Sequence, residues 1–318
     1  MIEDIQALIL GDINIDLVFK MDRDLKPGDS IALRRMMISY GGVGGNLSSA
    51  LARLGVPVSL LGAVGEDRFG DLALRELRRS GVNVKYVRRI AEEFTGISIV
   101  LIDPSGERTL ICARGANAAY RLRGDELELL RNVRHLHISG YMMLNDDGGA
   151  SCIKLLSFAK KWNISTSMDL EGIALKDPRK TFKIKGLVDY PLMNELEARS
   201  LLDAEKLGED EVKSLKDLLE SRALLIKLGE KGCMVMEDDE IQVIPTYRVK
   251  VLDSTGAGDA FNAGFIYGLL RGLRIGDAAK IGNALGAYKC MGLGARHHPS
   301  MRQLLELFPE LAELILEM

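Results

Sequence analysis

An alternation along the chain constrains the fold most. Short apolar runs rich in β-forming residues take turns with helix-periodic stretches almost from end to end. "ALILGDINID" reads as a strand, "GGNLSSALARLG" as a helix, "VSLLGAVG" as a strand and "DRFGDLALRELRRSG" as a helix ending at Gly81. "HLHISG", "STSMDL", "DYPLMN" and "ALLIKLG" follow as strands, each joined to the next by a helical segment. Such alternation predicts an α/β fold with a central, mainly parallel sheet and helices on both faces. From Gly256 to Met318 the pattern predicts three helices in succession. No internal repeat, low-complexity segment or Pro/Ser-rich linker divides the chain, so residues 1–318 are expected to form one domain.

Two segments depart from the βα rhythm. "DSIALRRMMISY" (29 to 40) puts Ile31, Leu33 and Met37 on one strand face and Ala32, Met36, Ile38 and Tyr40 on the other. "TGISIVLIDPSGERTLIC" (95 to 112) reads as a hairpin with "DPSGE" as its turn. A strand apolar on both sides needs cover on both sides. The inference is a small accessory sheet that closes over a site and also meets something else; the competing reading is a plain extension of the central sheet.

Composition narrows the function classes. With 47% hydrophobic and 27% charged residues the profile is that of a soluble globular protein. A formal net charge of −3 gives no bulk attraction for nucleic acid or an anionic membrane. No apolar run approaches the ~18 residues of a membrane span. The opening "MIEDIQALILGDINID" lacks a signal peptide's basic start and cleavage site and reads as a first buried strand. Cys112, Cys152, Cys233 and Cys290 lie far apart with no CxxC spacing, as expected of reduced thiols in a cytoplasmic protein. His135 and His137 share a strand face without a cysteine or carboxylate cluster nearby, which favours packing over metal ligation.

The chemistry concentrates in "DSTGAGDAFNAGFIYGLL" (253 to 270), where Gly256, Ala257 and Gly258 precede Asp259 and an apolar helix. Phe261, Phe265 and Leu269 keep the spacing of one buried helical face. Free amides at a helix N-terminus favour an anion. A carboxylate beside an anion site makes sense if it takes a proton from a group attacking that anion. There is no GxxxxGK[ST], and "GGVGGN" (41 to 46) and "GAGDAF" both fail GxGxxG, which removes the P-loop and the main support for a dinucleotide-dependent oxidoreductase. "GGVGGN" forms a second glycine-rich turn into a helix, with Asn46 able to donate and accept. Asn14 and Asp16 sit two apart at the end of the first strand, on one side, where open α/β sheets bind ligands. A carboxylate and an amide there suit hydroxyl recognition; a turn or capping role for Asp16 is the competing reading.

"DSTGAGDAFNAGF" and "GGVGGNLSSALARLGVPVSLLGAVGEDRFG" resemble the two signature motifs of the PfkB/ribokinase family of carbohydrate and nucleoside kinases, and the resemblance runs from about Leu8 to the C-terminal helices. It implies a ribokinase-like fold with lid strands at about 14–40 and 95–112, and ATP and Mg²⁺ as cofactors, with a monovalent cation such as K⁺ as a further candidate. By resemblance Asp259 is the catalytic base, and the amides of Gly256, Ala257 and Gly258 form the anion hole. Asn14, Asp16, Gly42 and Asn46 match sugar-binding positions. "NELE" places Asn194 and Glu197 near the magnesium–phosphate system, and "KLGEKG" places Lys227, Gly229 and Gly232 near the ATP phosphates and ribose. In many members two lids clasp one another, which implies a homodimer.

The strand "SMDLEGIALKD" lacks the "DPNxR" of ketodeoxygluconate and several hexose kinases, so an acid-sugar substrate loses its usual arginine. Its "DLE" is closer to ketohexokinase-like members. Arg114 in "ARGAN" suits a substrate group, the nucleotide or a structural ion pair equally. The expected activity is phosphoryl transfer to a hydroxyl of a small sugar, ribose, fructose or a related polyol. A nucleoside kinase is the nearest rival, with an aromatic content of 5% mildly against it. A non-catalytic sensor would be signalled by loss of the Asp259-type carboxylate, which is present.

Overall fold

The computed structural model describes residues 5–105 and 107–316. Met1–Asp4 of the expected first strand, Gly106 of the expected hairpin turn and the last two residues of the expected third C-terminal helix lie outside the described residues. The strands are β1 (Ala7–Leu10), β2 (Asn14–Lys20), β3 (Met36–Gly41), β4 (Val58–Gly65), β5 (Val87–Ile90), β6 (Gly96–Ile102) and β7 (Arg108–Ala113). They continue as β8 (His135–Ser139), β9 (Ser165–Asp169), β10 (Tyr190–Asn194), β11 (Ala223–Lys227), β12 (Cys233–Glu237) and β13 (Glu240–Ile244).

Nine of them form one sheet in the order β13-β12-β11-β10-β9-β8-β1-β4-β5, and four form a second in the order β3-β2-β6-β7. In the large sheet only the edge pairs β11–β12 and β12–β13 run antiparallel. Its central strands are buried on both faces, as the alternation requires. On β1, Leu8 and Leu10 join the core under the helices Ala150–Lys161 and Glu209–Leu219. Ala7 and Ile9 join the opposite core under Val43–Arg53, Arg68–Arg79, Ala257–Leu270 and Ile275–Cys290. Among the described residues no helix is long and apolar enough to cross a membrane.

The expected single strand over "ALILGDINID" is two strands in two sheets. Ile13 gives its N–H to Asn117 Oδ1 (2.9 Å) and its carbonyl accepts from Asn117 Nδ2 (3.1 Å), so an amide side chain takes the place of a neighbouring strand there. The chain leaves the large sheet at Gly11, and β2 begins the small one. Asn14 and Asp16 therefore stand at the start of the second strand, not at the end of the first.

The expected strand 29–40 is also shorter, for β3 starts at Met36. Its ladder with β2 ends at Phe19↔Met36, and beyond Lys20 the partner turns away through Pro27 and Gly28 with an Arg23–Asp29 ion pair. A strand ends where its partner does, so Ile31 and Leu33 share no strand face with Met37. The hairpin is present as β6 and β7. C-terminal to Gly256 there are four described helices rather than three: Ala257–Leu270, Ile275–Cys290, Met301–Leu307 and Leu311–Leu316. The break at Phe308 and Pro309 separates the last two, since proline cannot continue the preceding helix's hydrogen bonding. Nor is Ala257–Leu270 amphipathic: from Asp259 onward it is buried all round except at Leu269. Gly264 and Gly268 bring the helix Ile275–Cys290 onto its backbone.

The helix Val43–Arg53 approaches the end of β1 through two glycines. A Cβ built on Gly44 would lie 2.6 Å from the Gly11 carbonyl carbon, closer than side chains tolerate. Overpacking of this kind costs about 1–3 kcal/mol. Gly44→Ala is expected to lower unfolding stability by that amount in urea titrations at unchanged slope; an unchanged midpoint would contradict the close approach.

Candidate active site

The C-terminal ends of β1, β8, β9, β10 and β11, the start of the helix Ala257–Leu270 and the small sheet converge on one cleft. Its floor is the loop before that helix. Asp253 Oδ1 accepts from the Thr255 N–H (2.9 Å) and hydroxyl (2.7 Å), which sets the turn. Gly256 then takes φ +78°, and a Cβ there would sit 2.7 Å from the Ala295 carbonyl oxygen, so glycine is required twice over. The Ala257 N–H donates to Ser254 O (3.1 Å). The Gly256 and Gly258 amides take no partner among the described residues.

Asp259 opens the helix and is 9% exposed. Its Oδ2 accepts from Asn46 Nδ2 at 2.8 Å, and Asn46 Oδ1 accepts from Arg296 Nε at 3.0 Å. Arg296 also donates to the Gly41 carbonyl (2.8 Å) and pairs with Glu76. Burial pushes the Asp259 carboxyl up to about 6; Asn46 opposes that shift and nearby Asp169 reinforces it. An acid tuned near neutrality is what a general base requires.

Beside it lies a second group of acids. Asp169, at the end of β9, accepts from Lys227 Nζ and from Asn262 Nδ2 (2.6 Å). Glu171 Oε1 accepts a hydrogen bond from the Ser139 hydroxyl at 2.6 Å, and burial with Asp169 and Asp259 nearby holds its carboxyl well above the usual range. Burial lowers the Lys227 amine but the Asp169 carboxylate more than offsets it, so the group is raised and stays an ammonium. Its Nζ would lie 3.4 Å from a Cβ on Gly258, which puts a fixed positive charge against the loop before Asp259. Asn194 and Glu197 form a reciprocal capping box at the start of Glu195–Leu202, with Glu197 N–H on Asn194 Oδ1 (2.9 Å) and Asn194 N–H on Glu197 Oε2 (2.8 Å). Glu197 is buried, and burial and then Asp169 raise its carboxyl. Gly229 and Gly232 (φ +61° and +98°) make the tight turn from β11 into β12, where a Gly232 Cβ would meet the Ile244 carbonyl at 2.0 Å.

The small sheet supplies the other wall. Asp16 is 9% exposed against Ser98 and Gly41, and burial raises its carboxyl while Ser98 and Arg296 oppose. Asn14 accepts from Asn117 Nδ2 (2.9 Å) and points its own amide at Ser98 Oγ (3.4 Å). Gly42 has φ +82°, and a Cβ there would sit 2.4 Å from the Asp12 carbonyl. Arg114 resolves as an ion pair, with Nε and Nη2 on the two Asp12 oxygens (3.0 and 2.7 Å) and Nη2 also on Asn145 Oδ1 (2.8 Å). The paired histidines stay in the core, bonded to Ser165 and Ser167.

The family model described as "pfkB family carbohydrate kinase" matches residues 4–301. The chain belongs to the pfkB family of carbohydrate kinases. This pfkB protein is an ATP-dependent carbohydrate kinase with a ribokinase-like fold. It is 26% identical to a ribokinase of Haemophilus influenzae over 93% of this chain and 95% of that one. To an ATP-dependent ribose-1-phosphate kinase of Halopiger xanaduensis it is 30% identical, with the same coverage. The structure of Arabidopsis thaliana ribokinase complexed with ribose and ATP superposes with a TM-score of 0.85 at 25% identity, covering 95% of this chain and 98% of that one.

The cleft brings the expected Asp259, Asn46, Asp16, Asn14 and Lys227 together with four polar residues that sequence reading had not assigned: Asp169, Glu171, Asn262 and Arg296. The "DLE" run was a readable sign of the first two. Nothing local marks Arg296. Breaking a buried ion pair from one side typically costs about 3–5 kcal/mol. Arg296→Gln is expected to lose that much stability by chemical denaturation, because it strands Glu76 and releases Asn46. A loss under about 1 kcal/mol would mean that Arg296 holds neither.

Proposed function

We propose that this kinase transfers the γ-phosphoryl group of ATP to a hydroxyl of a small sugar such as ribose or a related ketose or polyol. The observation that carries the reading is the shared Arg296 network. Arg296 holds Asn46 on Asp259 and binds the Gly41 carbonyl beside Asp16, so a near-neutral base and an acceptor-side carboxylate are fixed by one cation.

In this reading Asp16 and Asn14 bind acceptor hydroxyls, with Gly42 and Asn46 shaping the same end. Asp259 removes the proton of the attacking hydroxyl. The amides of Gly256 and Gly258, with the Ala257 turn behind them, receive charge on the transferred group, and Lys227 adds a fixed cation. Asn194, Gly229 and Gly232 line the nucleotide end. Phosphoryl transfer depends mainly on positioning and electrostatics, which these parts supply. No group of three or more His, Cys, Asp or Glu among the described residues forms a metal cage. Mg²⁺ needs no such cage, since one or two carboxylates hold it together with substrate phosphates. Glu197 suits that role: it is buried and raised, and only its Oε2 is taken by the capping box. When bound, the ion would neutralise phosphate charge.

A second acceptor class has its own support. Arg114 is 19% exposed, and its Nη1 has no partner among the described residues, which suits an anionic substituent on the sugar. The Halopiger relative named a ribose-1-phosphate kinase points the same way. A panel of free pentoses, hexoses, nucleosides and sugar 1-phosphates, read by ATP consumption and phosphorus NMR, tests both; no turnover with any of them would reject the function.

On the best acceptor, Asp259→Asn is expected to reduce kcat by ~10²–10⁴-fold with ATP affinity unchanged. Wild-type kcat/KM should fall as pH drops through about 6, where the base protonates. Asn caps a helix nearly as well as Asp, so a variant keeping more than about a tenth of turnover would leave Asp259 only a capping role.

We also propose a homodimer through the small sheet. Met37, Val18, Val100 and Leu110 form one cross-strand row, with Met37 51% and Leu110 57% exposed. Ile38 and Ile111 end the adjacent row on the other face, also exposed. Contiguous apolar surface of this kind marks an association site. Met37→Glu with Leu110→Glu is expected to yield monomers in sedimentation velocity, whereas a wild-type monomer at micromolar concentration would rule out the dimer.

A further inference from the structure

Lys289 is the one lysine among the described residues whose side chain has no exposure, and it lies directly beneath the anion loop. It sits in the last turn of Ile275–Cys290. Its Nζ donates to the Asp253 carbonyl (2.5 Å), reaches the Gly292 carbonyl (3.5 Å) and lies 4.0 Å from the Asp253 carboxylate. A buried ammonium is costly unless oxygens surround it, and here backbone oxygens from two segments do. Those segments are the two that shape the loop. Asp253 turns Thr255 with one carboxylate oxygen and holds the Gly294 N–H with the other (2.9 Å), while Gly256 rests on Ala295. From β7 of the small sheet, Arg108 joins the same carboxylate at 2.8 Å.

Inward-facing carbonyls at the base of a phosphate loop are ligands for a monovalent cation, and K⁺ was a further candidate cofactor. The residues do not fit one. Two positive charges cannot share those oxygens, and the tethered ammonium already has them. Burial draws the amine's pKa down and the Asp253 carboxylate opposes that.

We propose that Lys289 is a built-in monovalent cation, which holds residues 253–256 against 292–295 and makes this kinase independent of added K⁺. Lys289 is a positioning residue, acting through the loop amides and not on the substrate. The inference rests on reading residues 256–259 as the phosphoryl site, but part of its test needs no acceptor.

Thermal melting and turnover are compared in KCl, NH₄Cl and tetramethylammonium chloride at equal ionic strength, for wild type and for Lys289→Ala and Lys289→Met. Wild type is expected to melt and turn over alike in all three salts. Misplacing a catalytic loop by about 1 Å costs on the order of 10²-fold, so Lys289→Ala should lose roughly 10–100-fold in kcat in tetramethylammonium. K⁺ or NH₄⁺ should restore most of that loss and raise its melting temperature. Lys289→Met, which fills the space without charge, should gain from neither. A wild type that K⁺ stabilises or activates severalfold would overturn the proposal, even if no variant folds. So would a folded Lys289→Ala that works equally in every salt, or one that no small cation rescues. Failure to find any acceptor would instead strike the kinase reading, and the melting comparison would still decide the role of Lys289.

Discussion

Asn46 lies between a buried carboxylate and a guanidinium, and much of the cleft hangs on that one amide. It donates to Asp259 and accepts from Arg296, a relay that needs both a donor and an acceptor on one short side chain. Aspartate at this position would set a second negative charge against Asp259, and lysine could not accept from the guanidinium. For the amide to reach, the helix Val43–Arg53 must begin against β1, which is why Gly42 and Gly44 cannot carry side chains. The same guanidinium binds the Gly41 carbonyl and so locks the edge of the small sheet to the large one.

Charge balance explains why so many acids can share the site. Glu171, Glu197 and Asp259 share the site with the buried Asp169, and burial drives the carboxyls of those three toward their neutral form. The cations are distributed unevenly: Lys227 answers Asp169, while Arg296 pairs with Glu76 and is linked to Asp259 by hydrogen bonds only through Asn46. Glu171, Glu197 and Asp259 are left raised. A carboxylate with an incomplete partner is unfavourable for folding and useful for proton transfer, the exchange of stability for function common at active sites.

Glycine has two separate physical roles here. At Gly42 and Gly256 a positive φ and a backbone within 3 Å both exclude side chains. At Gly264 and Gly268 the φ is ordinary, and the need is close helix packing. At Gly258 neither constraint applies, for a methyl there would reach only contact distance of Lys227 Nζ, 3.4 Å. "GAGD" looks like a single motif in the sequence, but its members answer to different neighbours.

The layered α/β fold, the hairpin of the small sheet and the two glycine turns were legible from the sequence, because periodicity, turn chemistry and helix starts are local. The family resemblance added site roles that local pattern alone could not give. What the sequence left open involves partners far apart in the chain. The bend that splits "ALILGDINID" is made by Asn117, 104 residues away from Ile13. Asn46 meets Asp259 across 213 residues and Arg296 across 250. The length of β3 was set by where β2 stops, and the all-round burial of Ala257–Leu270 by a second helix packed on its glycines. Lys289 in the sequence is an ordinary charge near a helix end; only the returning loop at 252–253 and the turn at 292 surround it with oxygens. Sequence determined which segments fold and where the chain can turn. Tertiary packing decided which polar side chains meet, because a buried charge takes its partner from whatever the topology brings within reach.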